Sequence, residues 1–261
     1  MVTGGKFHDY AAAGKPLKDE LVIDAHTHLG VFNRYHIPDA DTDSVVREMD
    51  RLGVNRACTF AFAGVNSDFV YGNDVTAAAV GKYPDRFVGF AVVNPHYPDE
   101  MVPELERCLA LGFRGIKLIA AYQDYPEDGP NFFPAYRFAH ENRLMILSHG
   151  WSSPEFLDRL AKDYPNAILI VGHYFHMPEY AEVVKKHPNV YQCTCAAGLN
   201  FGDIERMVAA MPVEKIIYGS DFTGWPMPFS FGPILYARIP DDAKRAILGL
   251  NMKHVLEELG A

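Results

Sequence analysis

Short apolar runs rich in β-branched and aromatic residues recur at 21–25, 54–61, 86–93, 113–119, 144–148, 167–171, 189–194 and 215–219, separated by stretches of helical period. They read as eight strands alternating with helices. Asp43-Ser44 can cap a helix over VVREMDRL that stops at Gly53. Asn73 or Asp74 can start the next, which ends before Tyr83-Pro84. Ser152 or Ser153, with Pro154 in the first turn, opens EFLDRLAKDY. An eight-fold βα alternation with short connections implies parallel strands joined by crossover helices. The expected fold class is α/β, a single (β/α)8 TIM barrel. A doubly wound sheet would show a Gly-rich phosphate turn after 21–25, and none is there. With no Ser- or Gly-rich linker, residues 1–20 read as an N-terminal extension and 21–261 as one catalytic domain.

Composition narrows the partners. The 261 residues are 49% hydrophobic, ample for a large core. A formal net charge of −9 and no basic run longer than Lys185-Lys186 argue against binding a phosphate backbone. No apolar stretch approaches the roughly 20 residues that span a bilayer, and the first 20 residues lack a signal-type segment, so a cytoplasmic address is expected. A small-molecule substrate is the expected partner, with a homo-oligomer left open. Cys58, Cys108, Cys193 and Cys195 are irregularly spaced and read as reduced thiols. Cys193 and Cys195 would share a strand face, but no second cysteine pair completes a tetrahedron, so small buried residues are the expectation.

Barrel enzymes gather their chemistry at the carboxyl ends of the strands. The strand ends here read DAHTH, GIKL, LSHG, VGHY and YGSDF. They bring His26, His28, Lys117, His149, His173 and Asp221 to one rim. One His-x-His pair is weak evidence, since 11 histidines in 261 residues predict about 0.5 such pairs by chance. Four rim histidines with a carboxylate are far more specific. The two-residue spacing turns His26 and His28 toward the barrel interior, where His149 and Asp221 from across the mouth would complete a mononuclear divalent site.

These motifs, together with DSVVREMDRLGVNRA and the closing ILGLNMKHVLEELG, resemble the amidohydrolase superfamily across nearly the whole chain. The nearer likeness is to the amidohydrolase-related branch that includes aminocarboxymuconate-semialdehyde decarboxylase. The resemblance implies one divalent metal, usually zinc, on His26, His28, His149 and Asp221. It implies acid–base catalysis or transition-state stabilisation by His173, and a second role for Asp221 as general base. Lys117 lies where binuclear members carry a carbamylated, bridging lysine, and can instead pair with a substrate carboxylate or phosphate. Relatives often have a His after the strand-4 Lys-Leu; here Ile119-Ala120-Ala121 follows.

Other rim residues are weaker candidates. Asp24 shares the strand face of His26 and His28 and can orient them without ligating. Trp151, Tyr174, Phe222 and Trp225 can wall an apolar pocket. Asn33, Arg34, Tyr35 and His36 can reach an anionic group, and His96 has no assigned role. The leading expectation is a hydrolase of an amide, ester or lactone of a small acidic metabolite. The alternative is a non-oxidative decarboxylase or hydratase of an aromatic or unsaturated acid. A related deoxyribonuclease barrel would need an acidic ligand in a GEIGLD-like strand, where this chain has RFVGFAVVNPH and GFRGIKL. A barrel that only binds would need no proton-transfer pair such as His173 and Asp221.

Overall fold

The computed structural model describes residues 5–34, 36–66, 68–174, 178–195 and 200–260. Its sheet holds eight parallel strands in the order in which they occur. They are β1 (Ile23–Leu29), β2 (Arg56–Ala61), β3 (Phe87–Val92), β4 (Gly115–Leu118), β5 (Met145–Ser148), β6 (Ile168–Val171), β7 (Val190–Cys193) and β8 (Ile216–Ile217). Backbone bonds from Ala25 to Tyr218 and from Asp221 to His26, with a parallel bridge between Thr27 and Phe222, bring the β8 end back to β1. The result is a (β/α)8 TIM barrel.

Two strand boundaries depart from expectation. The first strand runs through the polar DAHTHL segment to Leu29, so His26 and His28 lie within it rather than after it. Hydropathy misses this because the site, not a hydrophobic core, receives those side chains. The eighth strand has two residues, against five expected at 215–219. The chain beyond it leaves the ladder to turn toward β1.

Helices cover the outside. They are α1 (Lys6–Ala12), α2 (Thr42–Leu52), α3 (Phe62–Asn66), α4 (Phe69–Lys82), α5 (Pro98–Ala110), α6 (Phe133–Glu141), α7 (Pro154–Asp163), α8 (Pro178–Lys186), α9 (Asp203–Ala210), α10 (Met227–Tyr236), α11 (Asp241–Arg245) and α12 (Asn251–Glu258). As expected, Ser153 caps α7, accepting from the Phe156 amide at 3.1 Å, with Pro154 in the first turn. Gly53 ends α2 at φ 85, where any side chain would also strike the Leu17 backbone.

Two helix starts differ from the reading. Asp41, not Asp43-Ser44, caps α2 by accepting from both the Asp43 and Ser44 amides at 3.0 Å. α4 opens at Asp68, whose carboxylate accepts from Tyr71. Asn73 lies inside that helix, buried, with its amide bonded to both backbone groups of Val92 and to Glu104. A polar residue that looked like a cap is a strap between α4, β3 and α5.

Two apolar layers follow from strand alternation. Ile23, Phe60, Phe90, Leu147, Ile170, Cys193 and Ile217 fill the barrel, with Met252, Val255 and Leu256 of α12 in the same cluster. Val45, Met49, Leu105, Leu157, Leu160 and Met207 pack between sheet and helices. Each such side chain contributes about 1.5–3 kcal/mol on burial. Gly115 is required in β4 because a Cβ there would lie 1.8 Å from the Phe90 ring. Among the described residues no helix is long and apolar enough to cross a membrane.

Candidate metal centre

β1 carries one extra residue relative to β2. Asp24 pairs with Ala57, but Thr27 pairs with Thr59 and His28 with Phe60. Such a bulge re-aims the side chains beyond it. Ala57 belongs to the outer layer and Phe60 to the barrel interior, so Asp24 does not share the face of His28, contrary to expectation. Asp24 is fully buried behind the strand, and its Oδ1 accepts from the His26 and Ser220 amides, both at 3.0 Å. It ties β1 to the segment carrying Asp221. Burial, opposed by these hydrogen bonds, raises its pKa to about 7.

Asp221 adopts φ 62, a left-handed conformation uncommon for a residue with a Cβ. Its amide donates to His26 O at 2.9 Å and its carbonyl accepts from Trp225 at 3.0 Å, which hold that turn. The turn brings Asp221 Oδ1 to 3.3 Å from both His26 Nε2 and His28 Nε2. All three residues are buried. A tetrahedral zinc ion with bonds of about 2.0–2.1 Å places its donor atoms about 3.3 Å apart. The donors therefore have the type and spacing that a divalent ion requires.

Electrostatics favour ligation too. Burial, and next the Lys117 charge, hold the His26 and His28 pKa values well below the ordinary range, so both imidazoles are neutral. Lys117, fully buried in β4, donates from Nζ to His26 Nε2 at 2.9 Å. This bond fixes the His26 lone pair on Nε2, facing the cluster. Burial lowers the Lys117 pKa to about 8, opposed by Asp221. Asp221 in turn is raised to about 6 by burial, with Lys117 opposing.

His173 and His149 complete the ring of imidazoles. The His173 centroid lies 5.2 Å from that of His26 and 4.2 Å from that of His149. Burial is the main cause that lowers both pKa values, His149 to about 3. His149 is half-buried, and its ring is 5.2 Å from Tyr122. Four residues offer donor atoms all within 4.8 Å of one another: His26, His173, Cys195 and Asp221. This set shares His26 and Asp221 with the four ligands expected from sequence, lacks His28 and His149, and adds His173, expected as a catalytic residue, and Cys195, expected as packing. Its position just past a strand end was the available signal.

The remaining candidates divide. Trp151 is buried beneath the rim, donating to Ile170 O and accepting from Tyr180, so it packs rather than lines a pocket. His96 Nε2 bonds Gln123 O at 2.7 Å, a link between rim loops. Trp225 is exposed and stacks on Phe229. Tyr174 and Phe222 are half-buried against the outer core. Asn33, Arg34 and His36 are exposed, and Tyr35 lies outside the described residues.

A column of stacked rings has no counterpart in the sequence pattern. The His28 ring stacks on Phe62 at 4.1 Å, Phe62 packs on Phe32 at 4.6 Å, and Phe32 stacks on Tyr122 at 5.7 Å. The Arg34 guanidinium lies 4.2 Å over Tyr122. Phe62 and Tyr122 come from short helical turns past β2 and β4, where the sequence shows only apolar packing residues. A buried Glu127 was also missed; its carboxylate accepts from Ser148, next to His149.

The family described as Amidohydrolase has a model that matches residues 23–256. Similar solved structures include an uncharacterised TIM-barrel protein from Bordetella bronchiseptica, 18% identical, covering 92% of this chain and 99% of that one at a TM-score of 0.75. A 2,6-dihydroxybenzoate decarboxylase from Rhizobium is 14% identical over 91% of this chain and 99% of its own, TM-score 0.73. A 5-carboxyvanillate decarboxylase from Novosphingobium aromaticivorans, complexed with manganese and 4-hydroxy-3-methoxy-5-nitrobenzoic acid, is 16% identical over 94% and 98%, TM-score 0.75. At these identities the structural likeness speaks for the fold.

Proposed function

The chain belongs to the amidohydrolase family, and from that premise we propose that it is a metal-dependent enzyme that removes the carboxyl group from a small aromatic or unsaturated acid. The observation that carries this reading is the run of rings from His28 through Phe62 and Phe32 to Tyr122 under Arg34. A column of stacked rings that starts at a metal-type donor and ends at a guanidinium offers apolar edges and a cation to a planar acid. Two of the similar structures are decarboxylases of ring acids, in keeping with it.

His26, His28, His149 and Asp221 would hold one divalent ion per chain, with zinc the expected metal. The ion would supply Lewis-acid chemistry, polarising a substrate oxygen or acidifying water. The other roles belong to the side chains. Lys117 and Arg34 orient the acidic groups, and the stacked rings keep water from that side of the substrate. In decarboxylation the carbon–carboxyl bond breaks, its electron pair stays on the substrate carbon, and a proton replaces the departing carbon dioxide. His173, held between Cys195 and the rings of His26 and His149, relays that proton from solvent, its neutral imidazole taking up one proton as it gives another to carbon.

Hydrolysis remains the second reading, favoured by Asp221, whose carboxylate beside two neutral imidazoles is placed to take a proton from water. One experiment separates the two. Turnover of candidate ring acids in heavy water, followed by mass spectrometry, is expected to put deuterium on carbon with release of carbon dioxide. Incorporation of solvent oxygen into the organic product, without carbon dioxide, would overturn decarboxylation and restore hydrolysis.

A further inference from the structure

Cys195 is buried at 1% exposure just beyond β7, on the floor of the same cluster. Its Sγ is 3.1 Å from His173 Nδ1, and the Asp221 carboxylate lies in the same cluster. Its sulfur is within 4.8 Å of donor atoms on His26, His173 and Asp221. The three other cysteines form no such group among the described residues. From this convergence, and resting on the metal-dependent reading above, we infer that Cys195 is a sulfur ligand of the ion held by His26 and Asp221.

Charge supports the assignment. A divalent cation with neutral imidazoles and a single carboxylate leaves one positive charge in a buried site, and the Lys117 ammonium adds a second. Uncompensated buried charge is costly. A Cys195 thiolate removes one of the two excess charges; its proton leaves to solvent as the ion enters. Sulfur also changes which ion is preferred. Thiolate favours zinc and cobalt over manganese, which suits oxygen donors.

The test uses the full chain stripped with a chelator and reloaded with one equivalent of cobalt(II). The expected spectrum has visible ligand-field bands together with a near-ultraviolet sulfur-to-cobalt charge-transfer band. Cys195→Ser is expected to lose the ultraviolet band and keep the visible ones, while Cys108→Ser, in the outer layer, keeps both. Zinc affinity of Cys195→Ser should fall about 100-fold, and manganese affinity by less than about 3-fold. Visible bands without the charge-transfer band in the unmodified protein would overturn the sulfur ligand and leave the metal site standing. Persistence of the band in Cys195→Ser would also overturn it. No bound cobalt at all would overturn the metal-dependent reading itself. If Cys195→Ser does not fold, X-ray absorption of the zinc-loaded unmodified protein decides. One sulfur at about 2.3 Å supports the ligand, and a shell of nitrogen and oxygen alone overturns it.

Discussion

Lys117 Nζ donates to His26 Nε2 at 2.9 Å across the inside of the barrel, joining residues 91 positions apart. His26 Nε2 also lies 3.3 Å from Asp221 Oδ1. An ammonium and a metal ion would compete for this lone pair, so an entering ion must displace the lysine from it, toward the space a substrate acid would fill.

Lys117→Met is therefore expected to bind its ion at least as tightly as the unmodified protein while activity falls by about 100-fold or more. Titration calorimetry with zinc and elemental analysis of the purified variant provide the check. Loss of metal from the variant, or two ions per chain in the unmodified protein, would instead make Lys117 a carbamylated bridging ligand.

His173→Asn should keep the ion and lose about 100-fold in activity, because its assigned work is proton transfer. The pH profile carries more information than the rate alone. If His173 moves the proton, the variant's remaining activity should lose one limb of the profile. Metal content that falls together with activity would move His173 into the ligand set.

Glu127 links stability to pH. Burial, opposed by Lys117, raises its carboxyl from the ordinary 4.5 to about 8. The folded state then binds a proton that the unfolded state has released between those values. Stability from this group is full below about pH 4.5 and lost as pH rises toward 8. Glu127→Gln keeps a neutral side chain of the same shape. Its melting temperature relative to the unmodified protein is expected to rise steadily from pH 5 to 8.5, by a few kcal/mol in stability terms. Parallel melting curves at all pH values would show that Glu127 is ionised in the folded state.

The barrel was legible in the chain because its causes are local. Burial on both faces wrote the strands as short apolar runs, Ser153-Pro154 wrote the start of α7, and Gly53 wrote the end of α2. Reading stopped where one residue type serves two purposes. Asn73 has the chemistry of a cap but its partners, Val92 and Glu104, lie on other elements. Asp41 and Asp68 could not be ranked above neighbouring polar residues without backbone angles. The rim could be listed from strand ends, since each strand of a parallel barrel delivers its carboxyl end to one face. Only closure of the barrel decided the rest. The bulge after Asp24 and the left-handed turn at Asp221 set 3.3 Å between carboxylate and imidazoles. Neither is written in hydropathy, because the bulge belongs to the pairing of β1 with β2 and the turn to the return of the chain from β8 to β1. The same closure brings Cys195 of the seventh unit within reach of His26 of the first. A sulfur that is only a small apolar residue along its own strand becomes a candidate ligand when other strands supply its neighbours.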